Sequence, residues 1–146
     1  MPIANIHVLA GHPRPVLKQL LREVSATYAE VTGSPMDRLQ VWITEIDPEL
    51  YAIAGVPADE CLAQGDRADL EIPLVRLVLL ADRPMSQVHD AIREVSATVA
   101  RVLGGDPDRV RVEVQPVEAA RWGIGGVPAT IKRAADLAAR KRAANE

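Results

Sequence analysis

The sequence predicts an α+β protein of two layers, in which two tandem βαβ units form one four-stranded sheet with both helices on one face. Three observations predict it. Displacing the chain against itself by about 71 positions superimposes one half on the other without a gap: Pro2 falls on Pro73, the REVSAT of Arg22 to Thr27 on that of Arg93 to Thr98, and the GVPA of Gly55 to Ala58 on that of Gly126 to Ala129. By direct count about 21 of 57 paired positions are identical, so the chain is a tandem duplication. Each half then repeats one pattern, a short apolar run, a segment of helical periodicity and a second apolar run. A helical crossover of roughly 20 residues finally makes the two strands of each half parallel neighbours in a right-handed unit.

The elements follow in chain order. Ile3 to Leu9 is apolar and partly β-branched, and AGHPRP ends it with glycine and proline. Val16, Leu17, Leu20, Leu21, Val24, Tyr28 and Val31 recur at helical spacing, and Gly33 and Pro35 close a helix of about five turns. Leu39 to Ile46 is the second strand. The polar, acidic DECLAQGDRADLEI between the copies reads as a linker. The second copy repeats the plan with Leu74 to Leu80, a helix carrying Val88, Ile92, Val95, Val99 and Val102, and a strand from Val110 to Val117. The expected boundaries are therefore residues 1–58 for the first unit, 59–72 for the linker, 73–129 for the second unit and 130–146 for a helical tail, all in one structural domain. The sheet face away from the helices is expected to be apolar and to drive oligomerisation.

Composition narrows the functional classes. The 146 residues are 48% hydrophobic, enough for one packed core. Apolar runs fall well short of the roughly 20 residues that span a bilayer, and the N-terminus shows no secretory pattern, so a cytoplasmic protein with no membrane partner is expected. The net charge of −3 argues against a nucleic-acid partner; only the tail, IKRAADLAARKRAANE, is locally basic, and it reads as a solvated helix with a charged face. Cys61 is the only cysteine, which leaves neither an intrachain disulfide nor a multi-cysteine metal site.

The two strand-heading prolines differ chemically. The nitrogen of Pro73 is a tertiary amide with no basicity. Removal of Met1 would leave Pro2 with a free secondary amine, of a class that titrates at about 7.7 to 8.0 and shifts lower beside cations or in an apolar pocket. Such an amine is suited to general acid–base chemistry near neutral pH.

The opening MPIANIHVLAGH, the helix ending in REVSAT, the strand DRLQVWITEI and the closing segment RWGIGG at Arg121 to Gly126 together resemble the 4-oxalocrotonate tautomerase family of the tautomerase superfamily. The resemblance covers Pro2 to Ala58 and Pro73 to Ala129. It implies the tautomerase fold shared with macrophage migration inhibitory factor, paired βαβ units assembled as a homotrimer, and no metal or organic cofactor. It implies catalysis by an amino-terminal proline, with one arginine after the first strand, a second on the second strand and an aromatic residue in the closing segment. At those positions the copies have diverged: His12 stands against Arg83, Gln40 against Arg111, and Tyr51 against Trp122. Pro2 is thus available in the first copy while both arginines survive in the second, which points to a site assembled across copies, with Arg111 from the same or a neighbouring chain. Duplication would then leave three working pockets per trimer instead of six.

The resemblance implies an enol–keto tautomerase acting on a small carboxylic or dicarboxylic acid such as 2-hydroxymuconate. Two alternatives stand beside it. Relatives on this scaffold include malonate semialdehyde decarboxylase and 3-haloacrylate dehalogenases, and the stretch Asp37 to Gln40, with Arg83 and Pro84, resembles the decarboxylase; the recurrence of Asp37 and Arg38 as Asp108 and Arg109 is also explained by a turn. The other alternative is a non-catalytic oligomeric module.

Overall fold

The computed structural model describes residues 2–146. The first copy contributes β1 (Ile3–Leu9), α1 (Arg14–Thr32) and β2 (Gln40–Ile46), and closes with a small hairpin of β3 (Ala52–Ile53) and β4 (Val56–Pro57). Two short helices, α2 (Ala58–Leu62) and α3 (Arg67–Leu70), occupy the linker. The second copy supplies β5 (Leu74–Leu80), α4 (Met85–Leu103), β6 (Arg111–Val117) and a second hairpin, β7 (Gly123–Ile124) with β8 (Val127–Pro128). The tail holds α5 (Ala129–Lys132) and α6 (Ala134–Ala144).

The expected four-stranded sheet is present, in the order β2-β1-β5-β6, with β1 parallel to β2, β5 parallel to β6, and β1 antiparallel to β5. The duplication is visible in the register. Asn5 pairs directly with Arg76, its own counterpart 71 residues on, so a pseudo-twofold axis passes between them. The same axis threads the helix layer, where the Oγ1 atoms of Thr27 and Thr98 lie 2.8 Å apart, again a residue and its counterpart. The recurrence of REVSAT therefore has a packing cause: it lines the contact of the helices across the axis.

Alternation explains the core. Ala4, Ile6 and Val8 of β1 and Val75, Leu77 and Leu79 of β5 point to the helices and are buried, meeting Leu17, Leu20, Val24 and Tyr28 of α1 and Ala91, Val95 and Val99 of α4. Both helices end at a left-handed glycine, Gly33 or Gly104, whose backbone N–H bonds back into the last turn. The expectation of an apolar open sheet face needs correction. That face carries Trp42, 43% exposed, but also the Arg76–Glu113 ion pair at 3.1 Å and a hydrogen bond from Thr44 to Asn5. It is a mixed surface, because the edge strands β2 and β6 alternate apolar with polar residues and show the polar set outward.

Candidate functional site

Antiparallel pairing of the copies puts the two strand-heading prolines at opposite ends of the sheet. Ile3 lies across from Val78, so Pro2 is next to the end of β5 and the loop that follows it. At this end stand Gln40, whose N–H donates to the Pro2 carbonyl at 3.2 Å, and Arg83 in the loop after β5. Trp122 follows on from the end of β6, where Ala81 donates to the Val117 carbonyl. At the opposite end stand Pro73, Arg111, whose N–H donates to the Pro73 carbonyl at 2.9 Å, His12 after β1 and Tyr51 beyond β2. Of the two expected sources of Arg111, the same chain or a neighbouring one, this topology removes the first: β5 separates it from Pro2 of its own chain, a length of roughly 20 Å for seven residues. Arg111 instead folds back on its own turn, donating to the Asp108 carbonyl at 2.7 Å. Pro2 itself is fully buried, and Met1, on whose removal its basicity depends, lies outside the described residues.

Arg83 is held in a fixed pose. Its Nη1 donates to the Thr32 carbonyl at 2.6 Å and to Gln87 Oε1 at 3.1 Å, and its Nη2 donates to Ser34 Oγ at 3.2 Å. Thr32 is the last residue of α1, so an arginine of the second copy caps the negative end of the first copy's helix. Its Nε is buried with no partner among the described residues. Nε and Nη2 share one edge of the planar guanidinium, the edge that grips a carboxylate through two hydrogen bonds, and one end of that edge is unused. Burial is the main influence lowering the Arg83 pKa from its ordinary value, with the nearby positive charge of Arg140 second. The group remains a cation at any physiological pH.

The cavity beside Arg83 is lined by four arginines, Arg38, Arg83, Arg133 and Arg140, against a single carboxylate, Asp136. Three of these charged groups come from the tail, and none of those three was read as a site residue from the sequence. The expectation of a merely solvated tail helix is corrected: α6 is pinned on both sides, by Arg38 to Asp136 at 2.8 Å and by Arg140 to both oxygens of Asp82 at 2.5 and 3.1 Å. The sequence signal was the spacing 133, 136, 140, which places three charges on one helical face. Charged residues on a helix face ordinarily signal solvent, so the pattern alone does not distinguish a docked helix from a surface one.

The cavity at the Pro73 end has the opposite character, with Asp66, Glu71 and Asp106 against Arg67 and His12. Here the linker fills the site. Glu71 Oε1 lies 2.7 Å from His12 Nε2, both side chains only 6% exposed, and its Oε2 accepts from the Leu9 N–H at 2.7 Å. Arg67 donates to the carbonyls of Leu9 and Ala10. The turn arginine Arg109 holds the linker in place through the Leu70 and Glu71 carbonyls, the role Arg38 has toward the tail at the other end. This common duty explains why both copies retain it. Asp37, by contrast, is exposed in the short turn Met36–Arg38 and lines neither cavity. Among the described residues no cluster of three or more His, Cys, Asp or Glu side chains is arranged to hold a metal, and no helix is long and apolar enough to cross a membrane.

The sequence profile of the Tautomerase family, described as "Tautomerase enzyme", matches residues 2–60. A 2-hydroxymuconate tautomerase from Pseudomonas putida is 40% identical over 60 residues, which cover 41% of this chain and 95% of that protein. Among solved structures, one described as "F6 fused 4-OT wild type asymmetric trimer" superimposes with a TM-score of 0.77 at 20% identity, covering 91% of this chain and 98% of that one. Another structure, described as inactivated by 2-oxo-3-pentynoate, superimposes with a TM-score of 0.76 at 22% identity over 88% of this chain and 97% of that one.

Proposed function

The chain belongs to the tautomerase family, as a fused, two-unit member of the 4-oxalocrotonate tautomerase kind. On that premise we propose that it is a cofactor-independent isomerase interconverting the enol and keto forms of a 2-hydroxydienoate such as 2-hydroxymuconate, working at the Pro2 end of the sheet. The observation that carries this reading is the contrast between the two cavities. An anionic substrate is attracted to the arginine-lined end beside Pro2 and repelled from the end beside Pro73, where the linker's own carboxylate already occupies the site.

With Met1 removed, the Pro2 amine is the base. In its neutral form it takes the enol hydroxyl proton, and as the ammonium it returns that proton to a carbon of the conjugated chain, so no atom is gained or lost. Arg83 grips the carboxylate adjoining the reacting carbons with its Nε edge and stabilises the enolate-like charge developing between the two proton transfers. Its anchoring on Thr32, Ser34 and Gln87 means little reorganisation is needed during the reaction. Trp122 and Gln40 stand at the same end of the sheet and in this reading are the aromatic and polar neighbours of the base, although they and Pro2 lie outside the lining of the Arg83 cavity in the single chain.

We also propose a homotrimer, in which Arg111 of a neighbouring chain reaches the Pro2 end that its own chain's topology denies it, and His12 and Tyr51 belong to a silent second pocket. Exposed Trp42 on the open sheet face supports burial of that face between chains. The exposure of Asp37 weighs against a decarboxylase in which it activates the substrate.

Intact-mass measurement tests the base first, since retained Met1 defeats every mechanism that uses the Pro2 amine. If Met1 is absent, 2-oxo-3-pentynoate is expected to add one equivalent per chain at Pro2 and abolish tautomerisation of 2-hydroxymuconate. Unmodified, fully active protein would overturn the assignment. Mixing Pro2→Ala chains with Arg111→Ala chains should restore part of the activity if sites are shared between chains.

A further inference from the structure

The tail is absent from the repeat, yet it supplies three of the five charged groups that line the Arg83 cavity. We infer that α6 and the residue preceding it form a second anion-binding subsite, in which Arg133 and Arg140 hold the far carboxylate of a dicarboxylate whose near carboxylate rests on Arg83. This rests on Arg83 being the near anchor.

Charge supports it. Asp136 is paired with Arg38, and Asp82 with Arg140, so the carboxylates near the cavity are already engaged while arginines remain in excess. Arg133 makes no ion pair within 4.0 Å among the described residues; its Nη1 reaches only the adjacent Lys132 carbonyl, at 3.3 Å. Its charge is nevertheless felt at the site, since it contributes with Arg38 and Arg140 to lowering the Asp136 pKa. Arg140 spends Nε and Nη2 on Asp82, leaving Nη1 for a ligand.

Geometry supports it as well. The two latches join α6 to both copies, to the turn before β2 through Arg38 and to the loop after β5 through Asp82, so the subsite is held over the Pro2 end by pieces of both halves. Because the tail belongs to this chain, the subsite exists in a single protomer, without an arginine from a neighbour. Among the anchors of one protomer a monocarboxylate would use Arg83 alone; a six-carbon diacid would bridge Arg83 and the tail.

The test uses a matched pair of unreactive probes, trans,trans-muconate and sorbate, which share a six-carbon diene and differ only in a carboxylate replacing a methyl group. Equilibrium binding by calorimetry to the wild-type chain should favour muconate by about tenfold or more. In the Arg133→Gln/Arg140→Gln double variant that preference should fall to within about threefold, with sorbate affinity kept. Kept sorbate affinity also reports an intact fold and an intact Arg83 anchor. Three results overturn the inference: no muconate preference in the wild type, an unchanged preference in the double variant, or equal loss of both probes. Binding is read without turnover. A chain that prefers muconate through the tail but tautomerises nothing defeats the proposed function alone, whereas an active tautomerase whose preference ignores Arg133 and Arg140 defeats the subsite alone.

Discussion

At the Pro2 end of the sheet an arginine follows the neighbouring strand; at the Pro73 end the corresponding residue is His12. The difference extends to what covers each end. The linker brings Glu71 to His12 and the Leu9 N–H, leaving a buried, internally satisfied carboxylate. The tail brings arginines beside Arg83, whose Nε has no partner among the described residues. The two ends descend from one repeat, and the same turn arginine, Arg38 or Arg109, holds the covering segment at each. One end is thus filled by a buried carboxylate and the other lined by arginines, and what distinguishes them lies in the segments outside the repeat.

The strongest way to break this comparison is at the prolines. Pro2→Ala should lower kcat/KM on 2-hydroxymuconate by about 10³-fold, within the range of general acid–base contributions, while Pro73→Ala stays within about threefold of wild type in a steady-state assay. Comparable losses in both would mean that the ends are functionally alike. Next is the arginine against its counterpart: Arg83→Gln should cost about 10²-fold in kcat/KM, whereas His12→Gln should leave turnover within about threefold and appear only in stability. Glu71→Ala tests the filled end. Removing it strands the Leu9 N–H and His12 in a buried setting, so urea unfolding should show a loss of about 2 kcal/mol with kcat unchanged.

A smaller contrast lies in the two hairpins. The β3–β4 turn places Ala54 at φ +52° beside Gly55, where the β7–β8 turn has Gly125 and Gly126. An alanine in the left-handed region is strained, so Ala54→Gly should stabilise the fold by about 0.5–1 kcal/mol and Gly125→Ala should destabilise it. The smallest effect is expected from His7 on β1. Burial first and the charge of Arg76 second hold its pKa below 6.5, and its Nε2 is buried without a partner among the described residues. Protonation therefore opposes folding: the stabilisation is complete above about pH 6.5 and is lost as pH falls below it. Denaturation midpoints measured across that range should flatten in His7→Gln.

Much of this was legible from residue order. The repeat, the strand-helix-strand plan and the parallel pairing within each copy follow from periodicity and connection length, which are local properties of the chain. So does the chemical asymmetry of the prolines, because a tertiary amide cannot act as a base wherever it lies. The resemblance located Arg83, Arg111 and their diverged counterparts. Helix contacts are less legible: Thr32 and Thr98 are buried although polar, Thr98 because the pseudo-twofold axis presses it against Thr27.

What only the tertiary structure decided was which residues share an end. Antiparallel docking of β1 on β5 sends Arg83 to Pro2 and Arg111 away from it, and no pattern within either copy encodes the direction in which the copies meet. The tail and linker were illegible for a related reason. Their contacts are ion pairs and carbonyl hydrogen bonds made 38 to 98 residues away, and charged side chains carry no hydrophobic periodicity to announce that they are docked. The sequence by itself determined the units and which proline would gain a basic amine on loss of Met1; the fold determined the charge at that end of the sheet, because electrostatics depends on distance in space and distance was set by how the two copies pair.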